Sequence, residues 1–326
     1  MANQTLRDLV VSYAGKAANI EAIMSHLTNR SGILKTAQAI PANYNIYHKY
    51  KKVAALPTFT VGGMNQDLTD VTVSNDLFQQ ELCSIDAIQT EYKKQLDNYP
   101  GGPRKFFADQ FMAFIEGWGQ AASKQIIYGT SGLGNASGTI GLHQIAAANG
   151  NVIVETGTTG STTSIFAVKY NPLTCGILFN PAVAASGNFL KVTPLHGGNA
   201  YPEVINDGGS DQSKKLVYGT SYESSLGFLS ASSYDVAAYT RIQDDTGDVP
   251  IAENMDELID LVKGDEGSTF LYMNRTSKRL LAQLKDGKLE LGAMDKNYST
   301  RIDYWDGIPC VIDENILNTE STTNIV

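Results

Sequence analysis

The sequence predicts a mixed α+β fold without the regular βαβ alternation of a parallel-sheet enzyme. Three observations predict it. The stretch from Tyr44 to Tyr92 contains β-favouring runs and no convincing helix, a long helix with an aromatic stripe follows, and strands and short helices then alternate irregularly. No repeat of about 20 to 50 residues is present.

At the N-terminus, Leu6, Leu9, Val10, Tyr13, Ala17, Ile20, Met24 and Leu27 recur at helical spacing until Asn29-Arg30-Ser31-Gly32 stops the pattern. Residues 1–43 are therefore read as an amphipathic arm. Such an arm docks on its own core or reaches a neighbouring subunit, and the residues leave both open.

Residues 44–97 read as a long two-stranded hairpin, with Phe59-Thr60-Val61 and Val71-Thr72-Val73 on either side of Gly62-Gly63 and Asn65. Arms of about 15 residues at ~3.3 Å each would span roughly 50 Å, more than the strands of most compact domains. The outgoing arm carries His48, Lys49, Lys51 and Lys52, the returning arm Asp67, Asp70, Asp76, Glu81 and Asp86. A two-stranded hairpin is marginal in water unless something packs on it. In one reading the support is a second copy of the chain, register is set by charge, and Lys49, Lys51, Lys52, Phe59, Asp67, Asp70 and Asp76 are the candidate contacts. In the other, the two arms neutralise one another within one domain.

Gly101-Gly102-Pro103 opens the clearest helix, with proline preset for the first turn and Gly129 placed to end it. Phe107, Phe111, Phe114, Ile115, Trp118, Ala122 and Ile126 share a face, while Lys105, Asp109, Glu116, Gln120 and Lys124 fall largely off it. Some 25 residues at ~1.5 Å make a rod of nearly 40 Å. Gly117 and Gly119 each cost about 1 kcal/mol relative to alanine, so a close backbone approach or a bend is expected to compensate.

From Thr130 to Thr163 the chain is rich in Gly, Ser, Thr, Asn and Ala, with a short helix or strand near Leu142 to Ala148 and a strand at Asn151 to Val154. Strands are expected at Ser164 to Tyr170, Cys175 to Phe179 and Leu216 to Tyr218, and a long one from Phe228 to Ile242. A helix is expected around Met255 to Val262 with Asn254 as its cap. Phe270 to Met273 is a strand, and Asn274-Arg275-Thr276 starts a helix through Leu280, Leu281 and Leu284. Strands at Arg301 to Tyr304 and Ile308 to Ile312 flank a turn at Asp306-Gly307.

Composition narrows the function classes. The 326 residues are 42% hydrophobic, enough for a proper core, and only 18% charged, below the usual quarter or so. That suits surfaces covered by neighbours, and equally an enzyme with a polar uncharged exterior. A formal net charge of −9 disfavours a phosphate-tracking surface. Cys83, Cys175 and Cys310 form no CxxC pair and read as reduced, small hydrophobes of a cytosolic product. The N-terminus lacks a signal-peptide pattern and no run approaches ~18 apolar residues, so neither secretion by that route nor a membrane span is expected.

No catalytic, cofactor or metal site is predicted. His26, His48, His143 and His196 stand singly, with no HExxH and no zinc-ribbon spacing. Gly129-Thr130-Ser131-Gly132-Leu133-Gly134 resembles a phosphate loop or nucleophile elbow only superficially, since it follows a helix and lacks the lysine; a hinge is expected instead. Asp244-Asp245 and Asp265-Glu266 sit in turn-like stretches as solvated charge.

The order of parts resembles the major capsid proteins of tailed bacteriophages with the Hong Kong 97-type fold, in their podophage-like branch. Leu56-Pro57-Thr58-Phe59-Thr60 is similar to the outgoing strand of that family's extended loop. Lys105 to Gly129, with Ala113-Phe114-Ile115-Glu116-Gly117 and Gln125-Ile126-Ile127-Tyr128-Gly129, is similar to its spine helix. Gly227-Phe228 to Arg241-Ile242 resembles its long strand, and Phe270 to Thr276 with Asp306-Gly307-Ile308-Pro309 the close of its axial lobe. The resemblance spans nearly the whole chain, loosely over the first 40 residues and from Leu195 to Lys215.

It implies an N-terminal arm (1–43), an extended loop (44–97), a peripheral domain with the spine helix (98–135 and 228–245) and an axial domain (136–227 and 246–326). It further implies pentamers and hexamers, an extended loop lying over a neighbour, and DNA inside the shell, contacted non-specifically. Scaffold, portal and accessory head proteins are the implied partners, with assembly in the host cytoplasm and residence in the virion. No membrane and no cofactor is implied, and no crosslinking lysine–asparagine pair is identifiable. The alternatives are a cellular nanocompartment shell of the same fold, another phage structural component, and a soluble hydrolase or transferase.

Overall fold

The computed structural model describes residues 31–55, 59, 74–130, 138–157, 160–182, 190–205, 213–244, 248–283, 289–291 and 303–321. The predicted arm helix, most of the hairpin tip, Asp67 and Asp70 lie outside them. So do residues 131–137 of the glycine-rich stretch, together with Asp245 and Leu284.

The described chain opens with α1 (Gly32–Thr36), where the sequence pattern predicts only a stop. Five residues have little helical stability of their own, and packing holds them: Ile33 and Leu34 are fully buried, and a side chain at Gly32 would meet the Ile312 carbonyl oxygen at 2.2 Å. Next come β1 (Ala39–Pro41), β2 (Tyr47–Ala55), β3 (Ser74–Glu81), β4 (Cys83–Ser84), β5 (Ala87–Tyr92), α2 (Lys93–Asp97) and α3 (Gly102–Tyr128). The helix α3 has the predicted bounds, with proline in its first turn and Gly129 at its C-terminal end.

Beyond it lie α4 (Leu142–Asn149), β6 (Val152–Val154), β7 (Thr163–Lys169), β8 (Cys175–Phe179), β9 (Lys191–Pro194), a 3-10 turn at Leu195–Gly198, β10 (Tyr201–Ile205), β11 (Ser213–Glu223), β12 (Ser225–Ser230) and β13 (Val236–Ile242). The chain continues through α5 (Ala252–Leu261), β14 (Thr269–Met273), α6 (Arg275–Gln283), β15 (Leu289–Leu291), β16 (Asp303–Trp305) and β17 (Ile308–Ile312). Asp306 and Gly307 both have positive φ, 49° and 77°, as a tight two-residue hairpin between β16 and β17 requires.

The main core surrounds a mixed seven-stranded sheet in the order β15-β16-β17-β14-β7-β13-β6. Period-two alternation splits the interior strand β7 between two clusters. Phe166 and Val168 join Ile126, Ile127 and Tyr128 of α3 and Leu142 of α4, whereas Ile165 and Ala167 join Met255 and Leu258 of α5 and Leu280 of α6. The sheet is thus sandwiched between helices, which is why β7 reads as a continuous apolar run.

A second sheet runs β1-β8-β12-β4, a third runs β10-β11-β5 with β9 also on β11, and β2 and β3 form a two-stranded ladder. The expected long strand from Phe228 to Ile242 is two strands in two sheets. Between them Asp235 Oδ2 accepts the Ser232 amide at 2.8 Å and the Ser230 hydroxyl at 3.2 Å, and this turn carries the chain out of one sheet into the other. Residues 236–242, expected in the peripheral domain with the spine helix, form a strand of the seven-stranded sheet between β6 and β7, and Val236 and Ala238 share a core cluster with Ile126 and Ile127 of that helix. Conversely β11, expected in the axial domain, pairs with β5 at the base of the hairpin. Asn254 is not the cap of α5, whose N-cap is Ile251; its Nδ2 instead donates to Glu155 at 2.7 Å and to the Tyr239 hydroxyl at 3.2 Å.

Candidate assembly surfaces

The hairpin is anchored at its base and carries exposed apolar side chains farther out. Tyr50 and Leu82 pack on Ile40, Leu178 and Leu229, and Tyr50 stacks on Phe78 with ring centroids 5.8 Å apart. Further out, Leu77 is 66% and Phe59 77% exposed. These are large apolar side chains held toward water, which a lone subunit gains nothing by displaying.

The register fixes where the predicted contact residues stand. Lys52 lies opposite Asp76, Lys51 opposite Leu77 and Lys49 opposite Gln79. The backbone register thus puts positions 52 and 76 opposite one another across the ladder of a single hairpin. Lys49 is occupied differently: its Nζ lies over the Tyr47 ring at 5.2 Å and the Tyr44 ring at 5.7 Å. Its backbone amide donates to Asn43 Oδ1 at 2.8 Å, and its carbonyl accepts from Asn43 Nδ2 at 2.7 Å. Lys51 is exposed.

The long helix α3 is buried along only half its length. Ile115, Trp118, Ala122, Ile126, Ile127 and Tyr128 enter the core, while none of residues 103–114 is fully buried. That N-terminal half meets the third sheet through Tyr222, whose ring stacks on Phe114 at 4.6 Å and 10° and lies 6.3 Å from Phe111. The Tyr222 hydroxyl donates to Gln89 Oε1 at 3.1 Å, and burial pushes the phenol pKa up.

Two open clefts flank this stack. One, of about 570 Å³, lies between Phe107 and Phe111 on the helix and Val192, Pro194 and Tyr218 on the sheet. The other, of about 500 Å³, is floored by Ala113, Gly117 and Ala121 and walled by Ile85 and Leu190. Leu190 and Tyr222 border both, so the clefts run on into each other along α3.

Gly117 departs from the expectation of a close backbone approach: a Cβ built there meets nothing within 4 Å. Among the described residues no contact accounts for it. Gly119 is buried, and its carbonyl accepts the Ser31 hydroxyl at 3.3 Å. The phosphate-loop lookalike is equally resolved at its start. A side chain at Gly129, φ 58°, would lie 2.0 Å from the Gly141 amide nitrogen, so the two backbones abut and close the end of α3 onto α4.

Cys175 and Cys310 are buried, Cys83 is half-buried, and none of the three forms a disulfide. Among the described residues no group of three or more His, Cys, Asp and Glu could hold a metal ion, and no helix is long and apolar enough to cross a membrane.

Solved structures share this fold. A chain from bacteriophage Epsilon15 superposes with a TM-score of 0.54 at 15% identity, covering 88% of this chain and 87% of that one. The capsid of bacteriophage JBD30 gives 0.51 at 11% identity, covering 94% and 97%. No curated protein matches the sequence. The architecture is that of the Hong Kong 97-type capsid proteins. A family model, major capsid protein GP7, matches residues 15–324. The chain therefore belongs to the major capsid protein GP7 family, as a self-associating structural protein of the virion shell.

Proposed function

We propose that copies of this chain close into pentamers and hexamers that tile an icosahedral head around phage DNA. Scaffold, portal and accessory head proteins take part, and assembly occurs in the host cytoplasm. The observation that carries this reading is a pair of unfilled apolar surfaces in one subunit: the hairpin with Leu77 and Phe59 exposed, and the two clefts beside α3. Many modest contacts of that kind sum to a stable closed shell.

In this reading Phe59, Lys51, Asp67 and Asp70 touch the neighbour. Lys49, packed on Tyr44 and Tyr47 and bonded to Asn43, stiffens the arm that presents them. The division into lobes follows the strand pairings: β5, β9, β10 and β11 go with the exposed half of α3, and β13 with the seven-stranded sheet. With a formal net charge of −9, the shell wall holds DNA by enclosure rather than by grip.

Negative-stain microscopy of the purified protein tests the proposal, with closed shells or five- and six-fold rings as the expected images. A monomer that never associates at any concentration or ionic strength overturns it. Phe59→Asp is expected to suppress association while leaving the melting temperature of the free subunit unchanged.

A further inference from the structure

Residues 313–321 carry two carboxyl groups sealed from solvent, Asp313 and Glu320, each 0% exposed. They sit where three parts of the chain converge. Asp313 Oδ2 accepts the Ile33 amide of α1 at 3.0 Å, and its Oδ1 accepts the amide and the Nδ2 of Asn315, both at 2.9 Å. Glu320 Oε1 accepts the hydroxyl of Tyr128, the last residue of α3, at 2.6 Å, and Oε2 accepts the Ser164 hydroxyl of β7 at 2.6 Å.

Its backbone is bridged to the same strand. The Glu320 amide donates to the Thr162 carbonyl at 3.0 Å, and the Glu320 carbonyl accepts Gly160 N at 3.0 Å and Thr162 Oγ1 at 2.9 Å. The Tyr128 hydroxyl in turn accepts the Leu317 amide at 2.8 Å.

The groups facing Glu320 are neutral or acidic. From α3 comes the Tyr128 phenol, from β7 and the residue before it the hydroxyls of Ser164 and Thr162, and from its own segment Asp313, whose charge acts on Tyr128. Among the described residues, both side-chain partners of the Glu320 carboxyl are uncharged hydroxyls. An enclosed carboxylate without a paired cation is costly. Burial accordingly holds the Glu320 carboxyl up at about 7, against the opposing pull of the two hydroxyl donors.

We propose that Glu320 is a proton-operated clasp. Protonated, it lets residues 313–321 seat against α3 and β7; ionised, it works that segment loose and uncovers the last turn of α3. The device belongs to the subunit itself and goes beyond the shell reading without depending on it.

Hydrogen–deuterium exchange on the full chain at about pH 6 and about pH 8.5, corrected for intrinsic exchange rates, reads the clasp directly. Protection of residues 316–321 is expected to fall about tenfold or more at the higher pH, while that of β7 and β13 holds. Glu320→Gln, which keeps the shape of the neutral acid, is expected to abolish the difference. Ser164→Ala, which removes one donor to the carboxylate, moves the loosening to higher pH and gives a second readout should the glutamine variant not fold. Protection that is flat across this range in the wild type, or the same pH dependence in wild type and variant, overturns the proposal.

Discussion

Tyr222 lies nearly flat on Phe114, with centroids 4.6 Å apart and an interplanar angle of 10°, and this stack joins the exposed half of the long helix to the sheet built around β11. Tyr222 is buried, so Tyr222→Ala removes both the ring contact and its burial. A loss of about 3 kcal/mol is expected in chemical denaturation of the subunit. Tyr222→Phe keeps the stack and forfeits only the bond to Gln89, for about 1 kcal/mol. Equal losses in the two variants would assign the stability to the hydrogen bond instead.

The glycines of the long helix are expected to behave in opposite ways. Gly117→Ala has room for its methyl group and gains helix propensity, so the free subunit becomes more stable by up to about 1 kcal/mol. If a neighbour approaches the backbone there, the same change lowers the yield of assembled particles. Gly129→Ala is expected to destabilise the subunit by about 2 kcal/mol or more, since its methyl collides with Gly141 in a left-handed conformation. Melting temperature and particle yield, measured side by side, separate the two effects.

Asn274 is a buried hub. Its Oδ1 accepts the Ser277 amide at 2.8 Å and so caps α6, while its Nδ2 donates to Thr163 Oγ1 and Asn318 Oδ1, both at 2.6 Å. Asn274→Ala strands these partners, and a loss of about 2 to 4 kcal/mol is expected. Asn274→Asp keeps the cap and loses the donors, so its loss by denaturant titration should be of similar size at neutral pH and smaller in acid.

Subunit stability is expected to fall as pH rises from about 4.5 to about 7. The Glu320 carboxyl is raised from its ordinary 4.5 to about 7, so in this window the folded chain binds a proton that the unfolded chain has released. The stabilisation is complete below the unfolded value and is lost as pH passes the folded one. About 2.5 units at ~1.4 kcal/mol each make the difference roughly 3 kcal/mol. Glu320→Gln should flatten this part of the pH–stability curve, and a curve with unchanged slope counts against the assignment.

Much of the fold was legible because its signals are local. Pro103 and Gly129 bracket the long helix, Asp306-Gly307 marks a hairpin, and Cys175 to Phe179 form a strand with the expected bounds. What escaped was set by distant partners. The helix at Gly32–Thr36 exists because Ile312 and Asp313 receive it, and the break between β12 and β13 is a short Ser232-Ser233-Tyr234-Asp235 turn, closed by the Asp235 carboxylate, set between two apolar runs that read as one. Asn254 looked like a cap because caps are asparagines, yet Glu155 and Tyr239 claim its amide.

The surfaces were half legible. The charge segregation and exposed apolar residues of the hairpin show in the sequence, and its register then aligned Lys52 with Asp76. The clefts beside α3 could not be foreseen, because a helical stripe looks the same whether its aromatics are covered or merely bordered. Glu320 carried no signal at all. A glutamate near a C-terminus reads as solvated until Tyr128 and Ser164 are found around it.

The pairing of β1 with β8 joins Ala39 to Ile177, and the Ile33 amide finds its acceptor 280 positions along the chain. Neither contact can form on the ribosome until most of the polypeptide has emerged, so the closing of this subunit is a late event in its synthesis. A topology of such distant pairings folds slowly and leaves apolar strands transiently open to one another. For a protein made in many copies at once, the waiting time before closure sets how much of each batch is lost to aggregation. Conditions that slow synthesis or lower temperature should therefore raise the soluble yield more than changes to the finished surface do.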